Sequence, residues 1–145
     1  AGGRLPELDL DLERQVQDTI LKLADAQLLK SAHDCSDGGL AVAIAECCFS
    51  SLGRKALGAQ IELRASELSA ESLLFGETPS RIVISFAEGD LERVSGLVGE
   101  CPFEVIGRAG GDSLSISTDK NEFVSSPVAD LESAWRDFLG NNLEN

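Results

Sequence analysis

Apolar side chains recur at helical spacing along much of the chain. The stretch from residue 9 to residue 29 places four of them on one face of a predicted helix: Leu12, Val16, Ile20 and Leu23. Residues 40–49 are small and apolar nearly all round, which is typical of a helix buried on more than one side. A further helix is predicted to begin at residues 89–90.

The last helix is predicted to begin at Ser126 and Pro127. Serine is a good N-cap, and proline is tolerated at the first helical position. The predicted inner face of this helix consists of Val128, Leu131, Trp135 and Phe138. We therefore expect Trp135, the only tryptophan, to be buried.

Five segments read as strands: residues 31–34, 58–63, 81–86, 103–109 and 113–117. The β-branched run at residues 82–84 is the clearest of them. The connection Gly110-Gly111-Asp112 suits a hairpin between the last two strands. Strands and helices in this mixed order predict an α+β domain, with a mixed four- to five-stranded sheet and packed helices.

Length and charge limit the class of protein. The 145 residues fit one domain, predicted over residues 9–140, with a linker at residues 1–8 and a tail at residues 141–145. A formal net charge of -13 argues against nucleic acid and anionic membrane surfaces as partners. No apolar run approaches the roughly 18 residues that a membrane helix needs. The absence of methionine hints that the chain was cut from a longer protein.

Cysteine and histidine form no metal-binding pattern. The chain has four cysteines, one histidine (His33) and no C-x-x-C spacing. We therefore predict no metal site, and we interpret the cysteines as reduced packing residues of a cytoplasmic protein. Only Cys35 lies in a polar loop that could carry chemistry, at residues 33–40.

The first polar loop is HDCSDGGL, at residues 33–40. Glycines let backbone approach a ligand closely, and the amides at the start of the following helix could bind an anion. A structural interpretation is equally simple: Ser36 or Asp37 caps the helix and the glycines permit tight packing. His33 could act in acid–base chemistry or serve as a hydrogen-bonded structural group.

The second polar loop is LFGETPSR, at residues 74–81. Pro79 disfavours helix at Thr78, so the polar groups are expected on a stiff, extended connection. The guanidinium of Arg81 suits carboxylate or phosphate, although Arg81 could instead pair with Glu77. Neither loop contains a complete catalytic set, and we predict no catalytic residue.

We expect the two loops to lie side by side at one rim of the mixed sheet, and together they resemble a known superfamily. Residues 33–40 are similar to the HD-x-S-D/E-GGL signature of the C-terminal domain shared by relatives of aminoimidazole ribonucleotide synthetase. Residues 74–81 resemble the LF-x-E-S/T-x-S/G-R segment of formylglycinamide ribonucleotide amidotransferases, and residues 103–108 resemble their late F-x-x-IG strand. The resemblance covers residues 10–139.

The resemblance implies a place in purine biosynthesis. Such enzymes use ATP, Mg²⁺ and glutamine-derived ammonia to convert formylglycinamide ribonucleotide to its amidine. They consist of two tandem halves, and this chain resembles the last domain of the second half. Partners would be the ATP-binding-type N-terminal domains of the same parent chain and a glutaminase domain or subunit. The isolated domain is expected to be inactive and to bind no cofactor.

The resemblance also selects the candidate residues for substrate or nucleotide binding: Asp34, Ser36, Asp37, Gly38, Gly39, Glu77, Thr78 and Arg81. In the first half of these enzymes the segment matching Glu77-Thr78-Pro79 is E-S-Q and contacts substrate. Proline in place of glutamine removes an amide donor and acceptor here. Two alternatives stay open: a non-catalytic scaffold with an interface or auxiliary nucleotide site, and another superfamily member such as aminoimidazole ribonucleotide synthetase.

Overall fold

The computed structural model describes the backbone of residues 8–143 and the side chains of residues 8–137. Its helices and strands, in chain order, are α1 Leu10–Asp25, β1 Leu29–Asp34, α2 Gly39–Cys48, β2 Ala59–Glu62, α3 Ala70–Phe75, β3 Ile82–Phe86, α4 Leu91–Val98, β4 Gly107–Ala109, β5 Ser113–Ser117, β6 Glu122–Pro127 and α5 Val128–Leu143. The chain divides into two compact units. The first comprises the residues up to Ala43 together with Leu74–Val105, and the second comprises Ile44–Leu73 and the residues from Ile106 onward.

Helix α1 ends four residues earlier than the apolar pattern predicts. Gln27 adopts a left-handed φ of 56°, and its N–H donates to the Ala24 carbonyl at 2.9 Å. The Leu28 N–H donates to the Leu23 carbonyl at 3.1 Å. This pair of bonds is a Schellman motif, in which the chain turns away from the helix axis. The predicted extension of the helix to Leu29 is wrong because Leu29 begins β1.

The core of the first unit lies where α1 and α4 present their apolar faces. Its buried members are Leu23, Leu28, Val94, Val98 and Cys101, and Ile84 and Phe86 of β3 pack against them. Strands β1 and β3 form a separate two-stranded antiparallel sheet in this unit, with Asp34 opposite Ile82. The predicted inner face of α1 is therefore confirmed at Leu23.

The second unit contains a four-stranded mixed sheet in the order β4-β2-β5-β6. Strand β2 pairs antiparallel with β4 and parallel with β5, and β5 pairs antiparallel with β6. Helix α5 contacts β5 and β6. In β5, Leu114 and Ile116 are buried and alternate with serines, as a strand with one inner face requires. The predicted α+β class with a mixed sheet is confirmed.

The predicted hairpin between β4 and β5 is wrong, because β2 lies between these two strands. The connecting loop closes around Gly58 instead. The Gly58 N–H donates to the Gly111 carbonyl at 2.9 Å, and the Gly110 N–H donates to the Gly58 carbonyl at 2.7 Å. A Cβ at Gly58 would lie 2.4 Å from the Ser113 carbonyl oxygen. The missing side chain is what allows the loop to pass so close.

The start of the last helix also differs from the prediction. Ser126 and Pro127 are the final residues of β6, where they pair with Leu114 and Ser113. Helix α5 begins at Val128, whose N–H donates to the Asp112 carbonyl at 2.9 Å. Strand β6 was not predicted, because its residues lack a regular apolar alternation.

The prediction that Trp135 is buried is wrong, since the residue is 53% exposed. Its ring packs on Phe49 with the centroids 5.6 Å apart, and the Arg136 guanidinium lies 5.6 Å from its centroid. These two contacts leave much of the indole open to solvent. Val128 of the predicted inner face is buried, whereas the Phe138 side chain lies outside the described residues.

The structure bears on two further expectations. The four cysteines are free thiols, and burial raises the pKa of Cys48 to about 11, with neighbouring Cys47 adding to the effect. Among residues 8–143, every helix is too short or too polar to cross a bilayer.

The predicted linker falls almost entirely outside the described residues, and α5 extends to Leu143, inside the segment predicted as a tail.

Candidate functional site

The two polar loops meet at one end of the two-stranded sheet. The first loop follows Asp34 at the end of β1, and the second precedes Ile82 at the start of β3. These two residues are register partners in an antiparallel pair, so the loops leave the sheet at the same end. The expectation that the loops lie side by side is confirmed, although at the edge of this small sheet rather than of the mixed one.

A direct hydrogen bond joins the loops. The backbone N–H of Gly38 donates to Oε1 of Glu77 at 2.9 Å. A second link runs between the strand ends, where the Cys35 N–H donates to the Arg81 carbonyl at 3.0 Å. Residues 39 positions apart in the chain are thereby held in one surface region.

The two glycines of the first loop are required by the geometry. Gly38 and Gly39 have φ values of +81° and +72°, a region that side chains disfavour. A Cβ at Gly39 would lie 2.6 Å from the carbonyl carbon of Phe75, which belongs to α3. The start of α2 therefore packs directly on the backbone that leads into the second loop. The tight-packing interpretation of the glycines is confirmed, and close approach of a ligand to them stays a prediction.

Asp34 is held in its ionised form by its neighbours. The Ser36 hydroxyl donates to Oδ2 of Asp34, and this bond lowers the pKa of Asp34 below its ordinary value. A backbone hydrogen bond and the charge of His33, whose Nδ1 lies 3.7 Å from Oδ1, act in the same direction. The His33 Nδ1 also lies 2.7 Å from the Asp34 carbonyl oxygen. His33 thus has the hydrogen-bonded position of the structural interpretation.

The second loop arranges its side chains differently from the Glu77–Arg81 ion pair that was one of the two alternatives. Glu77 accepts from Gly38, while Nη1 of Arg81 donates to Oγ1 of Thr78 at 3.3 Å. Glu77 and Thr78 are exposed, and Arg81 is half-buried. The guanidinium therefore stabilises the bend of its own loop.

Sequence reasoning missed one residue that contacts this region. The Ser80 hydroxyl donates to Oε2 of Glu13 in α1 at 2.7 Å. Ser80 has a φ of +61°, which is unusual for a residue with a side chain. No spacing or composition signal connects Glu13 with Ser80, since they lie 67 positions apart.

The negative charge of the site favours ligands that donate hydrogen bonds or carry positive charge, and it disfavours anions. Asp34, Asp37 and Glu77 place three exposed carboxylates around the turn. The Gly38 amide, which an anion at the helix start would use, already donates to Glu77. A phosphate would meet like charges and would have to displace this carboxylate, so the arrangement suits hydroxyl, amide N–H or cationic groups.

Magnesium does not fit the site as this chain supplies it. Among residues 8–137, no three His, Cys, Asp or Glu side chains meet as a set of metal ligands. A Mg²⁺ site needs about six oxygen ligands in octahedral geometry, several of them water. The described residues therefore offer no complete magnesium centre of their own.

A groove of about 420 Å³ lies elsewhere in the first unit, between α1 and the end of α4. Its lining mixes both signs of charge, with Arg14, Lys22, Asp18 and Glu100 among its residues. It includes none of the candidate binding residues.

Comparison with known families identifies the origin of the two loops. The model of the family "AIR synthase related protein, C-terminal domain" matches residues 2–120, which include both loops and all eight candidate residues. The chain belongs to this family. Membership accounts for the joint presence of the two loop motifs, which are separated by 33 residues in the sequence but share one sheet end.

This AIR synthase-related domain has relatives that are much longer. It is 43% identical, over 93% of its length, to the phosphoribosylformylglycinamidine synthase subunit PurL of an Anaeromyxobacter species. It is 38% identical, over 94% of its length, to the PurL subunit of Moorella thermoacetica. The chain spans only 18% of the length of each relative.

Solved structures share the domain's fold. PurL of Thermotoga maritima complexed with FGAR matches 88% of this chain with a TM-score of 0.73 and 18% identity. The same protein complexed with ATP matches 82% of the chain with a TM-score of 0.68 and 17% identity. At this identity the likeness supports the fold of the AIR synthase-related domain.

Proposed function

We propose that this chain is the C-terminal domain of a phosphoribosylformylglycinamidine synthase, a ligase of purine biosynthesis. The observation that carries the proposal is the Gly38–Glu77 hydrogen bond, which unites the two loops that resemble this enzyme class. The 43% identity to a PurL subunit supports the same assignment.

In the parent enzyme, ATP phosphorylates the amide oxygen of formylglycinamide ribonucleotide and makes it a leaving group. Ammonia released from glutamine then attacks the amide carbon that bears the phosphorylated oxygen and displaces inorganic phosphate. The products are the amidine, ADP and phosphate. ATP and Mg²⁺ would be held by the ATP-binding-type N-terminal domains of the same parent chain, in the cytoplasm. A glutaminase domain or subunit would supply the ammonia.

This domain would contribute one side of a ligand site of the parent, formed mainly by hydrogen-bond acceptors. We propose that the ligand contacts come from the turn and the loop: Asp34, Ser36, Asp37, Gly38, Gly39, Glu77, Thr78 and Arg81. Three carboxylates around one turn favour donor groups such as ribose hydroxyls or an amide N–H. Phosphate would be bound by other domains of the parent.

The proposal is tested by replacing the aligned segment of the Moorella thermoacetica PurL subunit with this chain. We expect the chimera to form the amidine with ATP, Mg²⁺ and ammonia, and we expect the chain alone to hydrolyse no ATP. ATP hydrolysis by the chain alone would contradict the proposal. So would a chimera that matches the parental subunit in melting temperature and hydrodynamic radius but makes no amidine.

A non-catalytic scaffold is the second candidate. It is favoured by the internal use of the Glu77 carboxylate, which is already bonded to Gly38. In the chimera, Glu77→Ala removes a charge-assisted hydrogen bond, and a binding role predicts about a tenfold loss in kcat/KM. Glu92→Ala, an exposed carboxylate on α4, is the matched control. Unchanged kcat/KM in both variants would favour the scaffold.

A further inference from the structure

Glu13 lies outside both loops, yet it contacts the second loop at its most constrained point. Oε2 of Glu13 accepts the Ser80 hydroxyl at 2.7 Å, and Oε1 accepts from Nε2 of Gln17 at 2.6 Å. Gln17 lies one turn further along α1 and therefore orients the carboxylate from within the helix. Each carboxylate oxygen therefore accepts one hydrogen bond, Oε2 from the second loop and Oε1 from α1.

The backbone conformation of Ser80 is unfavourable for a residue with a side chain. Its φ of +61° lies in the left-handed region, which serine rarely adopts. The next residue, Arg81, fixes the strand register, because its carbonyl accepts the Cys35 N–H at 3.0 Å. Ser80 is thus the residue at which the loop leaves the sheet, and its backbone sets the direction toward Thr78 and Glu77.

We propose that Glu13 is a positioning residue for the Glu77–Arg81 segment, acting through its hydrogen bond with Ser80. By holding Ser80 in the left-handed conformation, Glu13 keeps Glu77 in reach of the Gly38 amide. The bonds from Ser80 and Gln17 also lower the pKa of Glu13, so the carboxylate is an ionised acceptor at neutral pH. The consequence for ligand binding rests on the proposed function, whereas the effect on the loop does not.

The test follows three backbone amides of the full chain by NMR-detected hydrogen exchange. The Gly38 and Cys35 amides report the contact between the loops, and the Leu28 amide reports the fold of α1 and its end. Glu13→Ala is expected to speed exchange at Gly38 and Cys35 about fivefold, the effect of losing one hydrogen bond. Exchange at Leu28 should stay within about twofold.

Matched variants separate positioning from general destabilisation. Glu13→Gln keeps an acceptor for Ser80 and should restore slow exchange at Gly38. Asp18→Ala removes an exposed carboxylate from α1 and should change none of the three amides. In a Ser80→Ala background, Glu13→Ala should add no further change, because the bond is already gone.

Three outcomes would overturn the role of Glu13: no change at Gly38 and Cys35, an equal change at Leu28, or a full additional effect in the Ser80→Ala background. These measurements require no ligand, so they stand apart from the chimera assay. An inactive chimera counts against the proposed function alone. In an active chimera, Glu13→Ala should lower kcat/KM about fivefold and Glu13→Gln should preserve it.

Discussion

At the scale of single residues, the site depends on the absence of a side chain at Gly39. The residue has a positive φ, and the backbone of Phe75 occupies the space where a Cβ would lie. Backbone cannot rotate out of the way as the end of a flexible side chain can. The close contact between the start of α2 and the end of α3 therefore tolerates no other residue at this position without a shift of the main chain.

We expect Gly39→Ala to lower the free energy of unfolding by about 2 kcal/mol or more, since left-handed strain and overpacking add. The measurement is urea unfolding of the full chain. Gly96→Ala is the control, because Gly96 lies in α4 with no atom within 4 Å of the added methyl group. It should raise stability by up to about 1 kcal/mol. Equal effects of the two substitutions would contradict this explanation.

At the scale of elements, helix ends decide where the loops begin. The Schellman motif at Gln27 stops α1 and directs Leu28 into the core, so that β1 can end at Asp34. Glycine is the usual residue at the left-handed position of this motif, and glutamine is strained there. Because glutamine rather than glycine occupies this position, the sequence carries no stop signal there, and the apolar pattern alone predicted a helix that continues to Leu29.

We expect Gln27→Gly to raise the free energy of unfolding by about 0.5–1 kcal/mol, because relief of left-handed strain exceeds the added freedom of the unfolded chain. Ala24→Gly, at an exposed position within α1, should lower it by about 0.5–1 kcal/mol. Thermal unfolding of both variants gives the comparison. Destabilisation by Gln27→Gly would mean that the glutamine side chain has a role of its own.

How well a feature of the fold could be predicted from the sequence depends on how far apart in the chain the interacting residues lie. Local periodicity was sufficient for α1, α2, β3 and β5, and the two loop motifs were sufficient to place Glu77 beside the glycine turn. The false hairpin and the missed β6 arise from pairing between segments distant in the chain, which no local pattern encodes. The Glu13–Ser80 contact is of the same kind, as its partners meet only once α1 and β3 have formed.

At the scale of the whole chain, a net charge of -13 makes the response to acid informative. In the second unit, the Glu132 carboxylate accepts hydrogen bonds from the hydroxyl and the N–H of Ser50. It accepts another from Nε of Arg136 at 2.8 Å. Its side chain is 13% exposed. These bonds, those from Ser50 first, lower the pKa of Glu132 from its ordinary 4.5.

A carboxyl whose pKa is lower in the folded chain stabilises the fold above its unfolded pKa and loses that effect as the pH falls through the folded value. We therefore expect Glu132→Gln to be less stable than the unsubstituted chain at neutral pH, with a gap that closes below about pH 4.5. Urea unfolding across this range gives the gap. Glu92→Gln controls for the loss of one negative charge, and a gap for Glu132→Gln that persists in acid would refute the expectation.

The position of β2 in its sheet has a consequence for how the chain is made. Both neighbours of Ala59–Glu62 come from residues 107–117, so during synthesis this segment leaves the ribosome with two unsatisfied edges. Some 50 further residues must be added before either edge finds its partner, at about 5–20 residues per second. For those few seconds the nascent second unit is exposed to aggregation, and slower translation after Glu62 would lengthen that interval.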